Sequence, residues 1–139
     1  MTPTLIIDCS LTMTWCFPNE ATNATAIIQD RLMAEAALVP PIWNLEVANV
    51  LALAEKRNRI SIADSTRFVQ LLEALDIQID TDCSSQVFQQ VLPLARNYGL
   101  TSYDAAYLEL ALRRQLPLAS LDDDLRKAAT ALGIEVLGK

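Results

Sequence analysis

Four carboxylates stand where they could do chemistry together: Asp8, Glu46, Asp104 and Asp122. Asp8 directly follows the apolar run Leu5-Ile6-Ile7, and Asp122 directly follows Leu118-Ala119-Ser120-Leu121. Asp104 falls in the first turn of a helix opened by Thr101 or Ser102. Glu46 falls in the first turns of a helix that begins after Pro40-Pro41. Hard divalent cations such as Mg²⁺ and Mn²⁺ prefer oxygen ligands of this kind. Carboxylates gathered without a cation repel and resist ionisation, and a cation reverses that penalty. Cations so held can activate water and neutralise a phosphodiester under in-line attack.

Each acid also has a structural use. Acids at helix starts, such as Asp104 and the run Asp122-Asp123-Asp124, are favoured by the helix dipole by about 0.3–1 kcal/mol. Asp8 has little local use beyond a turn. A Glu flanked by Leu45, Val47 and Ala48 needs a ligand or an ion pair if it is buried. Four further residues could support the set. Ser10 could cap a short helix from Leu11 to Phe17 or bond an oxygen held by a metal. Asn49, one turn beyond Glu46, could orient it, touch substrate or bond a loop carbonyl. Thr101 caps its helix and could also face the site. Asp124 competes with Asp122 and Asp123 as the fourth ligand.

What the chain lacks narrows the chemistry. It contains no histidine in 139 residues, which removes Ser-His-Asp triads, Cys-His pairs and His-bound zinc. Its three cysteines, Cys9, Cys16 and Cys83, match no zinc spacing and read as reduced thiols. With three glycines there is no Gly-rich phosphate loop. A net charge of −6 does not advertise a nucleic-acid binder, although it leaves acids available for a cation cluster. The notable basic runs are Lys56-Arg57-Asn58-Arg59 and Arg113-Arg114, which suit helix ends or an RNA backbone. Hydrophobic residues at 52% suit a folded core, and the length suits one domain over residues 1–139. The first residues carry no signal-peptide pattern and no run suits a membrane span, so the expected location is the cytoplasm, with no membrane partner.

The elements that must position these acids alternate. Leu5–Ile7 reads as a buried strand, Glu20–Ala37 as a helix, and Leu38-Val39 as a short strand. Ile42–Arg57 has a helical apolar face, and Ser61 opens a capping-box helix to about Leu75. Ile77–Ile79 reads as a strand. Ser84 or Ser85 opens a helix to about Tyr98, closed by Gly99; another runs to about Arg114. Leu118–Leu121 is a strand, Asp122–Leu132 a helix and Ile134–Leu137 a last strand. Strands alternating with helices predict an α/β fold with a mainly parallel sheet. In such sheets a site forms beyond the strands' C-terminal ends, and all four acids belong to that edge.

In their order and surroundings the motifs resemble those of PIN domains, and of VapC-type toxins among them. Ile6-Ile7-Asp8-Cys9-Ser10 is similar to the opening motif, and Trp15-Cys16-Phe17-Pro18-Asn19-Glu20 to its continuation. The second motif is resembled by Val39 to Leu51, with Glu46 and Asn49 in place. Leu100 to Ala111 resembles the third and Leu118 to Leu125 the fourth. Cys9 departs from the small residue common there, and the triple Asp leaves the fourth ligand open between Asp122 and Asp124. The resemblance implies a PIN-like three-layer fold with a five-stranded sheet, Mg²⁺ or Mn²⁺ at the carboxylates and endoribonuclease action on RNA. It further implies a cognate antitoxin that blocks the site and a toxin homodimer. Trp15, Phe17, Trp43 and Leu53 could serve such partners or simply the core. A PIN-fold module that binds RNA or protein without catalysis is the alternative. A phosphoacceptor receiver would want a pocket Lys, and a haloacid-type phosphatase would want Asp-x-Asp where Asp8-Cys9-Ser10 stands.

Overall fold

The computed structural model describes residues 1–139. Five strands form one all-parallel sheet in the order β3-β2-β1-β4-β5. They are β1 (Pro3–Ile7), β2 (Ala36–Val39), β3 (Ile77–Ile79), β4 (Leu118–Ala119) and β5 (Val136–Leu137). The α/β class read from the alternation holds, and the sheet is wholly rather than mainly parallel. Its helices are α1 (Cys9–Met13), α2 (Asn23–Arg31), α3 (Ile42–Lys56), α4 (Ile62–Ala74), α5 (Leu92–Tyr98), α6 (Ser102–Arg114) and α7 (Asp123–Ala131).

The middle of the sheet is the core. Leu5, Ile6, Ile7, Leu118 and Ala119 are fully buried, as strands covered on both faces must be. Each large apolar side chain there contributes roughly 1.5–3 kcal/mol. One apolar cluster runs from these strands to Phe17, Trp43, Phe68, Tyr107 and Leu125. Trp43 and Phe17 are therefore core residues, whereas Leu53 is 41% exposed and Trp15 half-buried. No helix is long and apolar enough to cross a membrane.

Three boundaries differ from the reading of the sequence. The helix expected over Glu20–Ala37 is a 3-10 turn, Pro18–Glu20, then α2, which ends at Arg31. Ala36 and Ala37, good helix formers, instead open β2, where pairing with Pro3 and Leu5 of β1 and full burial override their local preference. The short helix expected from Leu11 begins at Cys9, with Asp8 as its cap in place of Ser10. The helix expected from Ser84 or Ser85 is a 3-10 turn, Cys83–Gln86, and a wide π turn, Val87–Val91, before α5. Leu92 N–H reaches back five residues to Val87 O, and Pro93 has no N–H to continue a regular ladder.

Candidate active site

Asp8 leaves the C-terminal end of β1 and is 3% exposed. Its carboxylate is fully engaged. Oδ1 accepts from Leu11 N–H at 2.9 Å, which makes Asp8 the cap of α1. Ser10 Oγ donates across both oxygens, at 2.7 and 2.9 Å. Ser120 Oγ donates to Oδ2 at 2.5 Å. Ser120 is fully buried just beyond β4, and its oxygen also accepts from Asp122 N–H at 3.0 Å. Ser10 Oγ likewise accepts from Leu121 N–H at 3.0 Å. The two hydroxyls thus tie the end of β1 to the end of β4.

Asp122 caps α7 by accepting from Leu125 N–H at 2.8 Å. Arg126 of the same helix donates to Ser120 O and Leu137 O at 2.8 and 2.7 Å, pinning that helix across the ends of β4 and β5. Thr101 accepts from Asp104 N–H at 3.1 Å, so the capping role read for Thr101 is the one it takes. That cap sets Asp104 in the first turn of α6, half-buried. One turn on, Tyr107 is 1% exposed and donates its hydroxyl to Glu46 Oε1 at 2.6 Å. Glu46 comes from α3, whose start is fixed by Trp43 Nε1 donating to Thr12 Oγ1 at 3.0 Å; Thr12 in turn donates to Asp8 O at 2.7 Å.

The electrostatics register this gathering. Burial, the largest cause, pushes the Asp8 carboxyl above its usual range; hydrogen bonds from Ser120, Leu11 and Ser10 oppose it and the Asp122 charge adds to it. Glu46 is raised by burial and by the Asp104 and Asp8 charges, against the pull of Tyr107. Asp104 is raised by burial and then by Asp122, Asp8 and Asp124, against the Thr101 hydrogen bond. Asp8 and Asp104 therefore link the four expected acids, feeling Asp122 on one side and acting on Glu46 on the other, with Asp124 reaching Asp104 alone. Asp123 turns away to Lys139, at 2.5 Å. No three Asp, Glu or Cys side chains converge into a ready-made cation cage. Cys9, between the acids, is pushed up to about 12 by burial and by Glu46 and Asp8, so its thiol stays protonated.

The donor set fits a hard cation in its chemistry: carboxylates and hydroxyls, a protonated thiol, and like charges with no Lys or Arg bonded to Asp8, Glu46 or Asp104. Asn49 is exposed and bonds neither Glu46 nor a loop carbonyl. Two residues escaped the reading of the sequence. Ser120 was visible as the one polar residue in an apolar run. Tyr107 follows Asp104 by one helical turn, a spacing that shares a face.

A sequence profile of the PIN domain matches residues 8–131, a span that includes all four acids. PIN domains are a nuclease-type fold, often found in toxin–antitoxin systems, and generally use divalent metal ions. No curated protein sequence matches the chain. Among solved structures it is similar to PAE2754 from Pyrobaculum aerophilum, with 20% identity over 98% of this chain and 92% of that one and a TM-score of 0.71. It is also similar to FitAcB from Neisseria gonorrhoeae, with 17% identity over 96% of both chains and a TM-score of 0.65. At these identities the likeness is one of fold. The profile match, the parallel sheet and the acids at its C-terminal edge agree, and the chain belongs to the PIN-domain family.

Proposed function

We propose that this chain, as a single PIN domain, is a Mg²⁺- or Mn²⁺-dependent endoribonuclease and the VapC-type toxin of a toxin–antitoxin pair. The observation that carries the reading is the burial of Asp8, Glu46 and Asp104 close to like charges, with no Lys or Arg bonded to any of them, which makes ionisation costly until a cation arrives. Asp8, Glu46, Asp104 and Asp122 would hold the ions. When bound, the ions supply charge neutralisation at the phosphodiester and activation of the attacking water.

The chain's own groups do the rest. Ser120 and Leu11 N–H fix the Asp8 carboxylate, so its position does not depend on the ion. Tyr107 engages Glu46 Oε1 and leaves Oε2 without a protein hydrogen bond. Thr101 and Asp122 anchor the starts of two helices on the same edge, and their N-terminal N–H groups favour the phosphate's negative charge.

The resemblance also supports two partners, a small antitoxin over the site and a second copy of the chain. Tyr103, next to Asp104, is 58% exposed, and Phe88 and Leu45 are exposed as well, which leaves apolar surface for either partner. The open spacing of the acids favours one second reading, a PIN-fold module that binds RNA or protein without cutting it.

The test incubates purified protein with mixed RNAs and Mn²⁺ or Mg²⁺, then EDTA, beside a folded Asp8→Ala variant. Metal-dependent cleavage absent from the variant supports the nuclease. RNA retention with no cleavage by either protein supports the binding module. No cleavage together with no metal binding overturns the proposal.

A further inference from the structure

The two basic runs of the sequence have different fates. Arg113 is engaged by Asp80 at 2.7 and 3.1 Å and by Glu109 at 2.9 to 3.2 Å, and is not available to a ligand. The run 56–59 ends α3 at an exposed reversal. Asn58 has a φ of 58°, a left-handed conformation that Asn tolerates, and Arg59 N–H returns to Ala54 O at 2.8 Å. The reversal lays the Arg59 guanidinium over Phe17, 4.4 Å from the ring centroid. The Arg59 side chain stays 46% exposed and its guanidinium makes no hydrogen bond; Glu20 lies only at 3.9 Å, a loose and screened pair. Lys56 and Arg57 are exposed beside it.

Arg59 and Phe17 form a wall shared by two clefts. One, of about 360 Å³, is also lined by Cys9, Ser10 and Leu121, and so begins beside Asp8. The other, of about 610 Å³, continues past Trp15, Arg67 and Phe68. The two together make a trough that starts at Ser10, whose hydroxyl is bonded to Asp8, and passes outward beneath a guanidinium whose donors are free; Glu20 also lines its inner part. Arg67 is partly neutralised by its pair with Asp64, which leaves Arg59 as the principal cation of the trough.

We propose that this trough carries the backbone of single-stranded RNA, with Arg59 gripping a phosphate beside the one at the carboxylates. The inference rests on the nuclease reading above. Arg fits because its planar fork matches phosphate oxygens, and clefts of this size take a strand of nucleotides one at a time. The acidic overall charge of −6 makes such a local cation matter more to a phosphate chain.

The test compares Arg59→Met, which keeps the stem over Phe17 without the charge, with Arg114→Met as an exposed control. Binding of fluorescent single-stranded RNA is read by anisotropy from about 50 to 200 mM salt, in an Asp8→Asn background that prevents cleavage. Arg59→Met is expected to weaken binding roughly tenfold and to reduce the salt slope by about 0.7, one phosphate's worth, while the control changes neither. Unchanged affinity and slope in Arg59→Met overturn the trough but leave the nuclease standing if the wild type still cleaves. No RNA binding and no cleavage by any form overturn both. Tighter retention of poly-glutamate than of RNA, lost in Arg59→Met, would assign the trough to an acidic polypeptide and overturn the RNA proposal.

Discussion

The Ser120 hydroxyl ties the Asp8 carboxylate to the backbone of Asp122: it donates to Asp8 Oδ2 and accepts from the Asp122 N–H. Ser120→Ala would remove both bonds inside a fully buried position. The expected cost is about 1–3 kcal/mol, since the Asp122 N–H is left without a partner. Without that donor Asp8 would ionise at still higher pH, so metal-dependent cleavage should need more alkaline conditions. Urea denaturation and a pH–rate profile check the two effects separately.

Tyr107→Phe tests the hydrogen bond that holds Glu46 in place. The ring would stay packed, and Glu46 would lose its one hydrogen-bond donor. Because that bond pulls the Glu46 carboxyl down, its loss raises it, and the carboxylate becomes harder to form. Mn²⁺ affinity measured by calorimetry near neutral pH should fall about 10–100-fold, the range for outer-shell partners. An unchanged affinity would detach Glu46 from the cation site.

The pH dependence of stability has a definite sign. Asp8, Glu46 and Asp104 ionise later in the folded protein than in the unfolded chain. Above the ordinary carboxylate range the folded state holds the extra protons, so metal-free stability falls as pH rises through the raised values. Mn²⁺ selects the ionised form. It should therefore raise Tm more at about pH 7.5 than at about pH 5. Asp104→Asn removes one of the like charges and should flatten the metal-free decline. Thermal melts across pH, with and without Mn²⁺, read both effects.

Arg113 bridges two nearly inaccessible acids, Asp80 and Glu109, whose side chains are 2% and 5% exposed. Burial raises the Asp80 carboxyl, yet Arg113's hydrogen bonds and charge outweigh it and hold the group below its usual range. Arg113→Met would leave two buried carboxylates unmatched, at about 3–5 kcal/mol. Arg114→Met, on the exposed side, should stay within about 0.5 kcal/mol. Because Asp80 is depressed, the stability it confers is present above the ordinary carboxylate range and is lost as pH falls through its lowered value. Denaturation of both variants checks the contrast.

Much of this was legible because local chemistry and fold agreed. The Ser61 capping box with Asp64, the Thr101 cap and the Asp122 start of α7 all formed as their side chains dictate. Buried strands announced themselves as short apolar runs, and the acids after them marked the site's edge. What failed depended on distant partners. Ala36 and Ala37 read as helix until β1 paired with them. Arg113 read as a possible RNA contact until Asp80, 33 residues away, enclosed it. Asp8 read as little more than a turn, and its cap of α1 became visible only with the Leu11 N–H in place; Ser120 and Tyr107 act across 112 and 61 residues.

The central claim is that the gathered acids hold cations that cut RNA. Its most direct measurement is the RNA cleavage rate against Mn²⁺ concentration for the wild type and Asp104→Asn, a half-buried position whose loss spares the Asp8 network. The account predicts saturable metal dependence in the wild type, abolished by EDTA, and a fall on the order of 10²–10³-fold in the variant. Equal cleavage by both proteins, or cleavage that EDTA leaves untouched, would contradict it.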